Sequence, residues 1–222
     1  MDAKVLSLMG CMQKMQLWSP PSPIFRKLRC MTRFNTELLK QRTVLVNHIE
    51  ALNNAEDPLP SIIKTYRKMI SDINKNIVNN DKEIDKLIKE DPDLDSKIEK
   101  LLTIKGVGLS TIVSVLAETQ GFELITSRKQ LAKYAGFDVV ERQSGTSLMG
   151  KTRISKKGNS RIRSALYFPA MVASRYNSQL KEDYVRIVAK NPKQKKIAIT
   201  ALQRKLLLLI YTLWKTGEKY KD

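Results

Sequence analysis

Hydrophobic positions in the first half of the chain recur with a seven-residue period. From Leu28 onward, Met31, Leu38, Leu45 and Leu52 follow at that spacing, with Phe34 and Ile49 near the intermediate positions. Such a series lays one apolar stripe along a helix. The Trp-Ser-Pro-Pro-Ser-Pro segment at 18–23 precedes it, and prolines without amide hydrogens force an extended connection there. Asp57-Pro58-Leu59-Pro60 stops the helix, and a second one follows with two interleaved series. Ile63, Ile70, Ile77 and Ile84 form one; Tyr66, Ile73, Asn80 and Leu87 form the other. The pair predicts an antiparallel coiled-coil hairpin over 25–92, a stalk or an oligomerisation arm. Asn80 is the polar intruder in that seam. It either specifies register or partner, or sits in an exposed seam near the tip.

Beyond Asp91-Pro92-Asp93 the heptads end, and residues 93–222 read as a separate compact domain of ordinary size. Helices are expected over 95–104, over 109–119, and from a Ser127 N-cap through Tyr134 to Gly136. Val139-Val140 and Arg153-Ile154 flank a glycine-containing stretch that suits a short hairpin or an irregular loop. Two long helices, 160–188 and 194–216, should pack over the rest. The fold expected is mainly α: the hairpin, then a compact helical domain with a helix-hairpin-helix motif and a short β-hairpin or irregular basic loop.

Charge narrows the partner. Forty Lys and Arg against 22 Asp and Glu leave a formal charge of +18, so a polyanion is expected, most often nucleic acid. A hydrophobic fraction of 42% supports a real core and argues against wholesale disorder. The longest apolar run, Ile197 to Trp214, is broken by Gln203, Arg204 and Lys205 and falls short of the ~20 apolar residues a membrane span needs. It reads as a buried amphipathic helix, and no membrane partner is expected. The first sixteen residues show no secretion signal. Two cysteines, Cys11 and Cys30, and one histidine, His48, make neither a disulfide framework nor a zinc set and suggest a reducing interior compartment.

Two segments carry candidate chemistry. Leu101 to Ala117 has the shape of a helix-hairpin-helix: an apolar helix end, Gly106-Val107-Gly108, then a helix opened by Ser110 and Thr111. Glycines let such a turn approach a ligand closely, and amides at the next helix's N-terminus, aided by its dipole, can hold a phosphate oxygen. That contact positions a backbone and reads no base. An ordinary glycine-capped helix turn has the same spacing. The second segment, Glu141 to Arg163, sets Arg142, Lys151, Arg153, Lys156, Lys157, Arg161 and Arg163 against one carboxylate. Asn159 lies among them, and Ser144, Thr146, Ser147, Ser155 and Ser160 add hydroxyls. Such a serine is a phosphate hydrogen-bond donor or, with phosphates held alongside, a nucleophile. Asp2 alone cannot supply the several carboxylates of two-metal chemistry.

Asp-Ala-Lys-Val-Leu at 2–6, the Pro-rich break, Ile-Lys-Gly-Val-Gly at 104–108, Tyr-Ala-Gly-Phe at 134–137, Gln-Ser-Gly at 143–145 and Arg-Ile-Ser-Lys-Lys-Gly-Asn-Ser-Arg-Ile-Arg at 153–163 together set a pattern. In this order the chain resembles bacterial insertion-sequence transposases of the DEDD-plus-serine class, relatives of the Piv/MooV DNA invertases. The resemblance implies a RuvC-like nuclease domain with four acidic metal ligands, a coiled coil, and a C-terminal transposase domain with an essential serine. It implies Ser144 as nucleophile with Ser147 as fallback, Asp2 as the last carboxylate of the tetrad, and Mg2+ as the full-length enzyme's cofactor. DNA, a structured guide RNA and a second copy through the coiled coil become the expected partners, and the bacterial cytoplasm and nucleoid the expected location.

By that resemblance residues 1–24 are a remnant of the nuclease domain plus linker, and 93–222 the transposase domain. The strands bearing the other three carboxylates are not in this sequence. A recombinase fragment that binds nucleic acid and is inactive alone is therefore expected. The alternative is a non-enzymatic helix-hairpin-helix binding module.

Overall fold

Proline placement marks the start of the three helices that open the fold's main body. The computed structural model describes residues 2–12, 20, 22–56, 58–144, 148–190 and 192–221; of 141–144 and 148–152 it describes the backbone alone. A short helix, α1 (Asp2–Met12), exposes its residues throughout. Helix α2 (Pro23–Asn53), α3 (Pro60–Lys89) and α4 (Pro92–Leu102) each carry proline in the first turn, where its missing amide costs nothing. The second and third pack as an antiparallel pair. Met31 meets Asn80, Arg42 meets Asn74 and the His48 ring stacks on Tyr66 at 5.8 Å, so residue numbers fall along one helix as they rise along the other.

Asn80 lies near the base of this hairpin, not its tip. Its amide nitrogen donates to the Met31 carbonyl at 3.0 Å and to Asn35 Oδ1 at 2.8 Å, and Asn35 in turn donates to Asp81. The half-buried amide is thus satisfied across the seam, as register-setting polar groups are.

The base of the hairpin also joins the core of the downstream domain. Leu28, Ile84 and Ile88 are buried in the same cluster as Leu101, Leu116 and Leu206, and Phe25 lies under Gly121. The boundary expected at 92/93 divides the chain without dividing the packing.

Helix α5 (Leu109–Thr119) and α6 (Arg128–Ala135) follow their expected limits, the second with Ser127 accepting from the Gln130 amide and Gly136 at φ +73° after its end. Next come strands β1 (Val139–Ser144) and β2 (Leu148–Ile154), an antiparallel hairpin that pairs Val139 with Ile154 and Ser144 with Leu148. Its register shifts between Val140 and Arg142.

The long helix expected over 160–188 is three: α7 (Ser160–Ala165), α8 (Tyr167–Tyr176) and α9 (Ser178–Lys190). Pro169 has no amide to offer the Ala165 carbonyl, so the ladder loses that one bond and α7 gives way to α8, although Leu166 between them still donates to Ile162 and accepts from Ala170. Asn177 makes the second break. Its backbone turns extended at ψ 119°, and its buried side chain accepts from the Leu180 amide while donating to the Tyr220 hydroxyl. The last helix, α10 (Lys195–Thr216), is long and apolar enough to cross a membrane, yet Leu202, Leu206, Leu207 and Ile210 are wholly buried inside the fold. It is the core helix.

Candidate nucleic-acid interface

The Ser155–Asn159 loop lies across the C-terminal end of α6, and glycines allow it. A Cβ on Gly158 would stand 2.5 Å from both the Tyr134 carbonyl oxygen and the Gly136 nitrogen, closer than any side chain tolerates. The Asn159 amide donates to the Tyr134 carbonyl at 2.8 Å, the Lys156 amide to the Gly136 carbonyl, and the Ser155 amide to the Asp138 carbonyl. The Ser155 hydroxyl also bonds the Asp138 carboxylate. Orphan carbonyls at a helix end are thereby satisfied by the basic loop itself.

Asn159 then does two jobs. Its Oδ1 accepts from the Arg161 and Ile162 amides and so caps α7, while its Nδ2 donates to Glu118 Oε2 at 2.7 Å. Glu118 is only 3% exposed at its side chain and takes both prongs of Arg33, at 2.8 and 2.9 Å. Burial disfavours this carboxylate's charge, but the hydrogen bonds from Arg33 and Asn159 and the nearby Arg33 and Arg29 charges outweigh it. Its pKa lies below the ordinary value. The Glu118 backbone carbonyl accepts from the Tyr134 hydroxyl and from Arg29. One buried residue thus links the hairpin, α6 and the start of α7.

Held this way, the loop forms one wall of an open groove of about 540 Å³ lined by Gln130, Lys133, Tyr134, Lys157, Ser160 and Arg161. All six are exposed. Three cations and the Ser160 hydroxyl around an open trough suit a phosphodiester backbone, which accepts hydrogen bonds and carries negative charge, while the Tyr134 hydroxyl and the Gln130 amide are already bonded to the Glu118 and Leu124 carbonyls.

The predicted residues divide by environment. Arg153, Lys156, Lys157 and Arg161 are exposed. Arg163 instead donates to the Ala135 and Gly158 carbonyls and braces the loop from behind. Asn159 is half-buried and structural in the same sense. Val107 and Thr111 are buried, so their side chains belong to the core. Gly106, at φ +92°, lies against α8, where a Cβ would come 2.8 Å from the Ala173 nitrogen. Gly108 faces open space and Ser110 is exposed, so the start of α5 lies at the surface, with the Thr111 amide already bonded to the Gly108 carbonyl. Ser144 ends β1 opposite Leu148; Ser147 lies outside the described residues, as do the side chains of Ser144, Arg142 and Lys151. Asp2 is exposed at the start of α1. Among the described residues no three His, Cys, Asp or Glu side chains converge as a metal site.

Gln130, Lys133 and Tyr134 were missed because they lie between the two segments, 101–117 and 141–163, that carry the candidate chemistry. Glu118 carried a usable signal: it is a lone carboxylate ending the apolar run Ile112–Ala117, where burial demands a cationic partner.

The model of the Transposase IS116/IS110/IS902 family matches residues 98–185, from within α4 to within α9. Pilin gene-inverting proteins of Moraxella bovis and of Moraxella lacunata are each 30% identical to this chain over 213 residues. The alignment covers 96% of this chain, which spans 64% of the length of each relative.

Proposed function

On the match of residues 98–185 to the Transposase IS116/IS110/IS902 family model, we propose that this chain is the nucleic-acid-binding, serine-bearing part of a DNA recombinase. The observation that carries this reading is the groove of Lys133, Lys157, Ser160 and Arg161, fixed through Asn159 and Glu118 beside the β-hairpin whose first strand ends at Ser144. DNA phosphates lie in the groove. The turn at Gly106–Gly108 supplies a second, sequence-independent backbone contact through the first amides of α5.

In the catalytic step the Ser144 hydroxyl oxygen forms an ester bond to a DNA phosphorus while the bond from that phosphorus to one deoxyribose oxygen breaks. The leaving oxygen receives the proton the serine gives up, by way of solvent. Attack by a second strand's hydroxyl on the phosphoserine reverses these changes and joins the strands. Any Mg2+ in this reading is held with carboxylates beyond those described, and no step here is drawn through it. A structured RNA is the further nucleic-acid partner. The exposed apolar residues Phe34, Val44, Met69 and Val78 on the hairpin support a second copy of the chain as protein partner.

Trapping tests the reading. Denaturing the protein after incubation with labelled DNA should leave no adduct on this chain by itself and, with a full-length relative whose own serine is replaced by alanine, an adduct of this chain that Ser144→Ala removes while duplex affinity stays unchanged. An adduct that survives in the alanine variant sinks the assignment. The open cationic groove, which needs no serine chemistry to hold a backbone, equally suits a second reading, a binding module without strand exchange. That reading predicts salt-sensitive binding and no adduct under either condition.

A further inference from the structure

We infer that the solvent face of α8 is a stacking platform for unpaired nucleotides. The inference rests on the reading that the chain binds nucleic acid, and it adds the form of nucleic acid and the place. Phe168 is 72% exposed, Tyr176 69% and Val172 42%, and their spacing of four puts them in one row along the helix. Arg175, also exposed, falls at i+7 from Phe168 on the same stripe. The Tyr167 ring meets the Phe168 ring edge-on at 5.5 Å and braces it. On the opposite side Pro169, Ala170 and Ala173 are buried, so the ring row is the side of α8 left to solvent.

Two exposed rings two turns apart with Val172 between them make an exposed apolar stripe, which marks an interaction surface. Charge selects its occupant. Between Glu141 and Glu182 the chain has no Asp or Glu, and exposed Lys157, Arg161 and Arg175 lie in that span. An apolar protein partner seated on the row would desolvate Arg175 without pairing it. Single-stranded nucleic acid offers flat apolar bases to the rings and phosphates to the cations at once. A duplex keeps its bases stacked on one another and presents phosphates alone. The Gly106 turn packs against Ala173 on the buried side of this same helix and so fixes α8 from behind.

Fluorescence anisotropy with oligo(dT), oligo(rU) and a mixed-sequence duplex, each about 20 nucleotides long at about 150 mM salt, separates the possibilities. The Phe168→Ala/Tyr176→Ala double variant should bind the single strands roughly tenfold or more weakly and the duplex within about twofold of wild type. Phe168→Trp should keep single-strand affinity, whereas Phe168→Leu, apolar but without a ring face, should lose it. Loss on both single strands places the contact on the base; loss on only one names that strand as the occupant. Unchanged single-strand affinity in a double variant that still binds duplex overturns the platform and spares the wider reading. A change from dimer to monomer by light scattering, with single-strand affinity intact, overturns it in favour of a protein interface. Failure of the wild type to bind any of the three probes overturns the nucleic-acid reading itself.

Discussion

Arg33 and Glu118 form a two-pronged ion pair across 85 residues of sequence, with guanidinium nitrogens 2.8 and 2.9 Å from the two carboxylate oxygens. The partners are unequal: the Arg33 side chain is 41% exposed and that of Glu118 only 3%. Removing Arg33 strands a buried carboxylate, whereas removing the Glu118 charge leaves a guanidinium that water can reach. Arg33→Ala should therefore destabilise the fold by about 2–4 kcal/mol and Glu118→Gln by about 1–2 kcal/mol. Urea unfolding of both variants checks the order, and equal costs would mean that burial does not set it.

Acid should weaken the fold through two carboxylates. Burial raises the pKa of Glu118 and of Asp183, but Arg33 and Asn159 at the first, and Lys205 and Arg186 at the second, lower both below their ordinary values. A depressed folded-state pKa contributes stability that is complete above the unfolded value and disappears as pH falls through the folded one. The unfolding free energy should be level above about pH 6 and decline from about pH 5 downward, with a shallower decline in Arg33→Ala. Urea midpoints measured from pH 7 to 3 test it; a decline that begins above neutrality would assign acid sensitivity elsewhere.

The two glycines of the turn should separate folding from binding. Gly106→Ala places a Cβ at 2.8 Å from the Ala173 nitrogen on a backbone at φ +92°, so a loss of about 2 kcal/mol or more is expected. Gly108 has φ −96° and nothing within 4 Å of a Cβ, so Gly108→Ala should cost under about 1 kcal/mol. Duplex affinity lost in Gly108→Ala with thermal unfolding unchanged would assign a phosphate contact to this turn. Unchanged affinity would make the turn purely structural.

Local chemistry explains which features were legible. Leu109–Thr119 and the Ser127 and Gly136 caps could be placed because glycine and hydroxyl signals lie beside the residues they end or start. Heptads revealed the hairpin for the same reason. The break at Leu166 was written in Pro169 but overridden by the apolar continuity around it, and the break at Asn177 depends on Tyr220 at the far end of the chain. Glu118 illustrates the harder limit. Its partners Arg33 and Asn159 lie 85 residues before it and 41 after, and periodicity within a helix carries no information on such pairings. The groove was half-read, because Lys157 and Arg161 belong to the basic run at 151–163 while Lys133 lies outside it on α6, where the sequence shows no sign of facing that loop.

Lys133, Lys157 and Arg161 should act on nucleic acid as charges, not as readers of sequence. Each lines the same open groove, each is exposed, and none holds another part of the fold as Arg163 does. Each phosphate neutralised releases condensed counterions and adds about 0.9 to the slope of log affinity against log salt on duplex DNA. Replacing all three with glutamine should therefore flatten that slope by about 2–3 and weaken binding by a similar factor on unrelated sequences. The same titration on Arg163→Gln should show lower thermal stability, since the Ala135 and Gly158 carbonyls lose their donor, without comparable flattening. A triple variant whose slope matches wild type would remove the groove from the interface and leave the β-hairpin and the α5 turn to account for DNA binding.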